Sequence, residues 1–322
     1  MRQRVVVLKG AEGFADRTQC LMQAVSYASK TGRTLVVDWR DEDWSHDPSE
    51  PLSDYLSIEG HDTLPIADFL EQLKNDPSPR SVFPEAWSDH LFTDQFNAFM
   101  RDGPFKLPEN GACLEQIVKG NRADFDADLV IYPGVGERVY QYSILKQVKL
   151  SPWIASGIKD FAKARQISEA KFDLVHLRGG SKAWMGGFVS DRSPVKAEHN
   201  QWPSAEEYMK PIWEVYQHLV STVSEKCPLF VMSDTPQLIK LWQQTYQCGN
   251  TIPNLVQGQL SESGIHKLRS NDIETPKRDI NFECLRDFTL MLNSRILVGD
   301  GVSLFSLMAL HCKTSGARMV NL

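Results

Sequence analysis

No stretch of this 322-residue chain is basic enough to argue for a nucleic-acid partner. Lys and Arg total 35 against 41 Asp and Glu, giving a net charge of −6 and a pI near 5.8. An anionic ligand must therefore be held by a local site against the overall field. The six cysteines lie far apart and none forms a Cys-x-x-Cys pair. That excludes the usual zinc and redox motifs and a disulfide scaffold, and makes a reducing cytoplasm the expected location. No run of about 18 apolar residues exists, so no transmembrane segment is expected. The apolar run within residues 1–9 is too short for a secretory signal. The turn Gly10-Ala-Glu-Gly13 lacks the third glycine of a dinucleotide fingerprint, and no Walker lysine follows it.

What is present is an ordinary globular composition, 42% apolar and 24% charged, in a chain long enough for two domains of roughly 100–150 residues or more. Arg4–Leu8 and Arg33–Asp38 read as strands flanking a helix, whose apolar positions Leu21, Ala24, Val25 and Ala28 fall at helical spacing. Gly32 suits the position just past its C-terminus. This is a Rossmann-like opening. Asp16 and Arg17 fall in the helix's first turn, where backbone amides can hold a ligand group; ordinary turn chemistry explains the glycines before them equally well. The segment Trp39-Arg-Asp-Glu-Asp-Trp44 reads as a cation or sugar site, or as an acidic solvated loop. Prolines break up residues 45–110, where only 66–73 suggests a helix. Asp124, Asp126 and Asp128 alternate before a strand at 128–132 and read as a solvated edge. A boundary near 145–155 divides the chain into domains 1–150 and 151–322.

The second half opens with a helix over 154–165 and a strand, Leu174-Val-His-Leu, that runs into Arg178-Gly-Gly180. Side chains two apart on a strand point the same way. His176 and Arg178 therefore share one side at the strand's mouth, with Val175 and Leu177 on the other. A basic pair opening into a glycine turn is where an α/β sheet commonly holds a polar ligand; a buried His beside a surface Arg is the plain alternative. Residues 179–204 form a long insertion with Lys182, Trp184 and Arg192, a length that suits a ligand lid. Ser204-Ala-Glu-Glu207 has the form of a capping box. Pro228–Asp234 reads as a strand ending in Asp234, a ligand carboxylate or a helix cap. A helix over 281–292, a strand over 295–299, and a helix starting near Ser303 and Ser306 close the chain. That last helix start offers amides to an anion.

The sequence also resembles the fucosyltransferases related to the nodulation protein NodZ, and through them the core α-1,6- and protein O-fucosyltransferases. Four stretches carry the likeness: Gly13-Phe-Ala-Asp-Arg-Thr-Gln-Cys20 with Tyr27 to Arg40, Val175-His-Leu-Arg178, Phe230-Val-Met-Ser-Asp234, and Asp300 to Ala309 with Ser303-Leu-Phe-Ser306. The likeness is strong at 10–40, moderate over 170–310 and weak over 45–150.

The resemblance implies a GT-B-type α/β fold, with two Rossmann-like domains facing a cleft. It implies an inverting, metal-independent transfer of fucose from GDP-fucose to an N-acetylglucosamine-containing or related glycan. The first domain would serve the acceptor through Phe14, Asp16 and Trp39. The second would hold the nucleotide sugar. Arg178 would bind the β-phosphate and stabilise departing GDP, with His176 shaping that pocket. Asp234 would contact the nucleoside, Ser303 and Ser306 would sit by the diphosphate, and Lys182 would add charge from the loop. No cofactor is implied beyond GDP-fucose as donor substrate. One departure matters: the family commonly carries a second basic residue after the arginine, and here the position is Gly179. That departure motivates the alternative of a non-catalytic nucleotide-sugar or carbohydrate binding protein.

Overall fold

The computed structural model describes residues 3–10, 13–40, 44, 51–91, 117, 119–120, 123–132, 142–178, 188–190, 204–254, 275–301, 303–317 and 319–322. They divide into two compact units, Met1–Ser151 and Pro152–Leu322.

The first unit is built on β1 (Val5–Lys9), α1 (Phe14–Thr31) and β2 (Thr34–Asp38). Every residue of β1 and β2 is buried. That is the signature of parallel strands covered on both faces, and it explains their unbroken β-branched runs. Helix α1 begins directly after Gly13 and ends at Gly32, whose left-handed φ of 67° closes the helix with an N–H bond to Ala28 O. A short β3 (Leu56–Ile58), α2 (Ile66–Asn75), β4 (Val82–Phe83) and β5 (Leu129–Tyr132) follow, and β6 (Val148–Leu150) pairs antiparallel with β3. The main sheet is parallel in the order β2-β1-β5-β4. Phe69 and Leu73 of α2, with Trp87, pack on Val5, Val7, Val36 and Ile131.

Asp126 is exposed and the Asp128 bonds to Ser81 lie at an exposed position, as a solvated edge requires, but Asp124 departs from that reading. Asp124 accepts from Arg33 (3.0 Å), Arg4 (2.6 Å) and Tyr27, tying α1 to the sheet's lower end. Asp128 accepts from the Ser81 amide at 2.9 Å.

The second unit runs α3 (Pro152–Ala164), β7 (Asp173–Leu177), β8 (Phe188–Ser190), α4 (Ala205–Ser221), β9 (Leu229–Ser233), α5 (Pro236–Tyr246), β10 (Asn250–Thr251), α6 (Lys277–Asn293), β11 (Ile296–Asp300) and α7 (Leu304–Thr314). Its sheet order is β10-β9-β7-β11-β8. All pairings are parallel except β8 against β11. One face of the sheet, Val175, Leu177, Val231, Ile296 and Val298, packs on Tyr208, Met209, Ile212, Tyr216 and Leu219 of α4 and on Leu238 and Trp242 of α5. Each such large side chain taken out of water contributes about 1.5–3 kcal/mol before entropy is charged against it. Ser204 caps α4 by accepting from the Glu207 amide (3.2 Å), as the capping-box pattern predicted. The opposite face carries His176 toward α7. Among the described residues, no helix is long and apolar enough to cross a membrane.

Candidate functional site

The order of the second sheet marks where a ligand belongs. After β7 the chain first adds β8 at the far edge, then lays β9 and β10 on one side of β7 and returns to place β11 on its other side, between β7 and β8. Neighbouring strands whose connections leave in opposite directions open a crevice beyond their C-terminal ends, and α/β sheets hold ligands there. His176 lies near the end of β7 and Arg178 just beyond it, Asp234 follows β9, and Ser303 and Ser306 follow β11. All five stand at this one end of the sheet.

Strand alternation decides what each side chain meets. Val175 and Leu177 enter the core under α4 and α5. His176 turns the other way: its Nδ1 lies 2.7 Å from Ser306 Oγ, and its ring packs beside Phe305. The imidazole is 5% exposed. Burial pushes its pKa down to about 4; the nearby Asp234 carboxylate opposes the shift and the Arg178 guanidinium adds to it. His176 is therefore neutral at physiological pH. In that state it carries no charge into the crevice, and its ring nitrogen ties β7 to α7 through Ser306.

Arg178 pairs with Asp234 through Nη1 and Oδ2. The two side chains remain 23% and 14% exposed, so the pair sits at the mouth of the crevice rather than in the core. Asp234 is not a helix cap: α5 starts at Pro236 with Thr235 in the capping position. An arginine fixed by one carboxylate and open at its edge is suited to a phosphate group, because its planar fork binds anions in pairs of bonds.

A chain of hydrogen bonds underlies this mouth. The Arg178 amide donates to Tyr208 Oη (3.0 Å), whose hydroxyl donates to Asp300 Oδ2 (2.9 Å). Asp300 Oδ1 accepts from the Ser303 amide (2.5 Å), and Ser303 Oγ accepts from the Ser306 amide (3.4 Å). Ser306 then returns to His176 on β7. The hydroxyls of Ser303 and Ser306 thus act as a helix cap and as the partner of His176, and both residues are buried. Gly299 allows the closure, since a Cβ there would stand 2.8 Å from Ser306 Oγ and 2.9 Å from its Cβ. Sequence reasoning missed Tyr208 and Asp300 as parts of this site. Tyr208 stands four residues after the Ser204 cap on a helix, and Asp300 enters the sequence reading only as the start of the Asp300–Ala309 stretch.

The first unit presents a different chemistry at the end of β1. Phe14 and Trp39 are buried, Phe14 stacked with Trp44 at 6.2 Å and Trp39 edge-on to it at 5.0 Å. Arg17, also buried, lies over both Trp39 (5.5 Å) and Trp44 (5.7 Å). These rings pack against one another and a guanidinium rather than turning their faces to solvent. A Cβ on Gly10 would stand 2.0 Å from Arg17 Nη1, so the glycine is there for close approach. Beside it Asp38 accepts from Lys9 (2.5 Å) and from Arg40 (2.7 Å). Burial alone would raise its pKa, but Lys9 and Arg40 outweigh it and hold the carboxyl below its ordinary range. Asp16 lies half-buried in the first turn of α1. Lys182, Gly179, Arg192 and the Asp41-Glu42-Asp43 cluster lie outside the described residues.

No protein-family model and no curated protein sequence matches the chain. Solved structures do. NodZ α-1,6-fucosyltransferase soaked with GDP-fucose superposes with a TM-score of 0.61 at 16% identity, covering 96% of this chain and 92% of that one. The fucosyltransferase NodZ from Bradyrhizobium gives 0.59 at 17% identity over the same shares. POFUT1 in complex with GDP-fucose gives 0.53 at 14% identity, covering 99% and 95%. Two α/β units, each on a mainly parallel sheet, with a likeness spanning nearly the whole of both chains, make this the GT-B glycosyltransferase fold.

Proposed function

We propose that the protein is a glycosyltransferase that takes fucose from GDP-fucose and passes it to an N-acetylglucosamine-containing or related glycan, with inversion and without a metal. The observation that carries the reading is the Arg178–Asp234 pair at the crevice of the second sheet, in a fold shared with proteins solved with GDP-fucose. On this reading the second unit is the nucleotide-sugar side and the first the acceptor side. Arg178 meets the β-phosphate and stabilises the charge that builds as the bond from fucose C1 to the phosphate oxygen breaks. The acceptor hydroxyl forms the new bond at C1 from the opposite face and gives its proton to solvent water, and GDP leaves with the electron pair. Asp234 orients Arg178 and lies within reach of the nucleoside. His176, kept neutral, walls the pocket, and the first turn of α7 closes it. Free thiols at Cys227, Cys248, Cys284 and Cys312 suit a cytoplasmic setting.

Calorimetric titration with GDP, GDP-fucose, GDP-mannose and UDP-glucose, with and without EDTA, tests the reading. Metal-independent binding confined to the guanosine compounds is expected. Arg178→Ala should weaken GDP by about 1.5–3 kcal/mol, the worth of a charge-assisted phosphate contact; an unchanged affinity removes Arg178 from this role. Gly179 in place of a second basic residue favours the alternative of a binding protein without turnover. GDP-fucose that binds but is never consumed with any glycan acceptor would decide for it.

A further inference from the structure

Arg178 lies one step beyond the sheet that carries it. The β7–β9 ladder ends at Leu177↔Ser233 and the β7–β11 ladder at His176↔Gly299. Something other than the sheet must fix the main chain at the residue that the site depends on. That partner is a phenol: the Arg178 N–H donates to Tyr208 Oη at 3.0 Å.

We infer that Tyr208, held by Asp300, is a positioning residue that sets the direction in which Arg178 leaves β7, and so its purchase on a diphosphate. The inference rests on the proposed nucleotide-sugar reading. Tyr208 occupies the first turn of α4, whose register the Ser204 cap fixes. Its hydroxyl has one proton, and that proton goes to Asp300 Oδ2 at 2.9 Å, which leaves the oxygen's lone pairs toward the Arg178 amide. Burial, with Asp300 beside it, raises the phenol's pKa well above its ordinary value, so the donor stays protonated. Asp300 uses its other oxygen on the Ser303 amide at 2.5 Å. One carboxylate therefore sets both the end of β7 and the start of α7, the two walls of the crevice. Tyr208 and Asp300 are 1% and 0% exposed, so water does not compete for these bonds.

The test compares GDP with guanosine, since Arg178 acts on phosphate and a general loosening of the fold acts on both. Tyr208→Phe keeps the buried ring and removes only the hydroxyl. GDP affinity should fall about 5- to 10-fold, within the range of one lost buried hydrogen bond, while guanosine affinity changes little; the thermal midpoint should drop as well, because the Arg178 N–H and Asp300 Oδ2 each lose a buried partner. In an Arg178→Ala background the same change should have no further effect on GDP, because the two residues act as one unit. Equal weakening of GDP and guanosine, full additivity with Arg178→Ala, or no loss of GDP affinity would overturn the inference. Should Tyr208→Phe not fold, Asp300→Asn in the same cycle reads the same coupling. Failure of the underlying reading looks different: wild-type protein that binds no GDP, or an Arg178→Ala variant that binds it normally, removes the nucleotide site itself and the inference with it.

Discussion

The pH dependence of stability should carry the mark of His176. In the folded protein burial holds this imidazole near pKa 4, against an ordinary value of 6.5. The unfolded chain takes up a proton that the folded chain refuses, so acid draws the equilibrium toward unfolding. The contribution is complete above the unfolded pKa and is lost as pH falls from about 6.5 toward 4. With those two values, linkage gives a loss of roughly 2 kcal/mol by about pH 5 and roughly 3 by about pH 4. The assay is urea unfolding of the wild type and of His176→Gln near neutrality and near pH 5, where most carboxylates stay ionised. Gln retains a polar group for Ser306 but does not titrate. His311 is also pushed down by burial, but it is common to both proteins and cancels in the difference. The variant is expected to be less stable at neutrality and to lose roughly 2 kcal/mol less than the wild type on acidification. Parallel loss in the two proteins would mean that His176 titrates normally, and the argument that it is a neutral wall residue would fail.

Other perturbations follow from the same geometry. Gly299→Ala should cost about 1–3 kcal/mol by overpacking, because its Cβ would meet Ser306; an unshifted urea midpoint would show that α7 yields freely. Asp38→Asn should cost about 3–5 kcal/mol, the penalty for breaking a buried ion pair, since Lys9 and Arg40 both donate to that carboxylate. Because Asp38 titrates below its ordinary range, the gap between wild type and Asp38→Asn should hold above about pH 4 and close below it, and unfolding at several pH values checks this. Asp234→Ala should leave the fold intact and alter GDP affinity, since its pair with Arg178 is partly exposed; unaltered binding would detach Asp234 from the site.

Much of the architecture is legible in the chain because local physics dictates it. The β-branched runs at Val5–Lys9 and Thr34–Asp38, the turn at Gly32 and the cap at Ser204 all stand where their patterns place them. Strands β3 and β4, three and two residues long, are too short to show any alternation, and their pairing depends on neighbours remote in sequence. Asp124 looks solvated by pattern because nothing local reveals Arg33 folding back on it from 91 positions away.

The site divides along the same line. Strand alternation by itself sets His176 and Arg178 apart from Val175 and Leu177, and a strand ending in Asp234 is visible as such. Which of these side chains meet is a matter of strand order. Arg178 finds Asp234 across 56 positions, Tyr208 finds Asp300 across 92, and His176 finds Ser306 across 130. Sequence spacing carries no trace of such pairs. They exist because β9 and β11 flank β7, and because Gly299 lets α7 close on the strand. Local pattern fixes the direction of a side chain; only the packed sheet decides what stands in that direction, and with it the charge and purpose of each group.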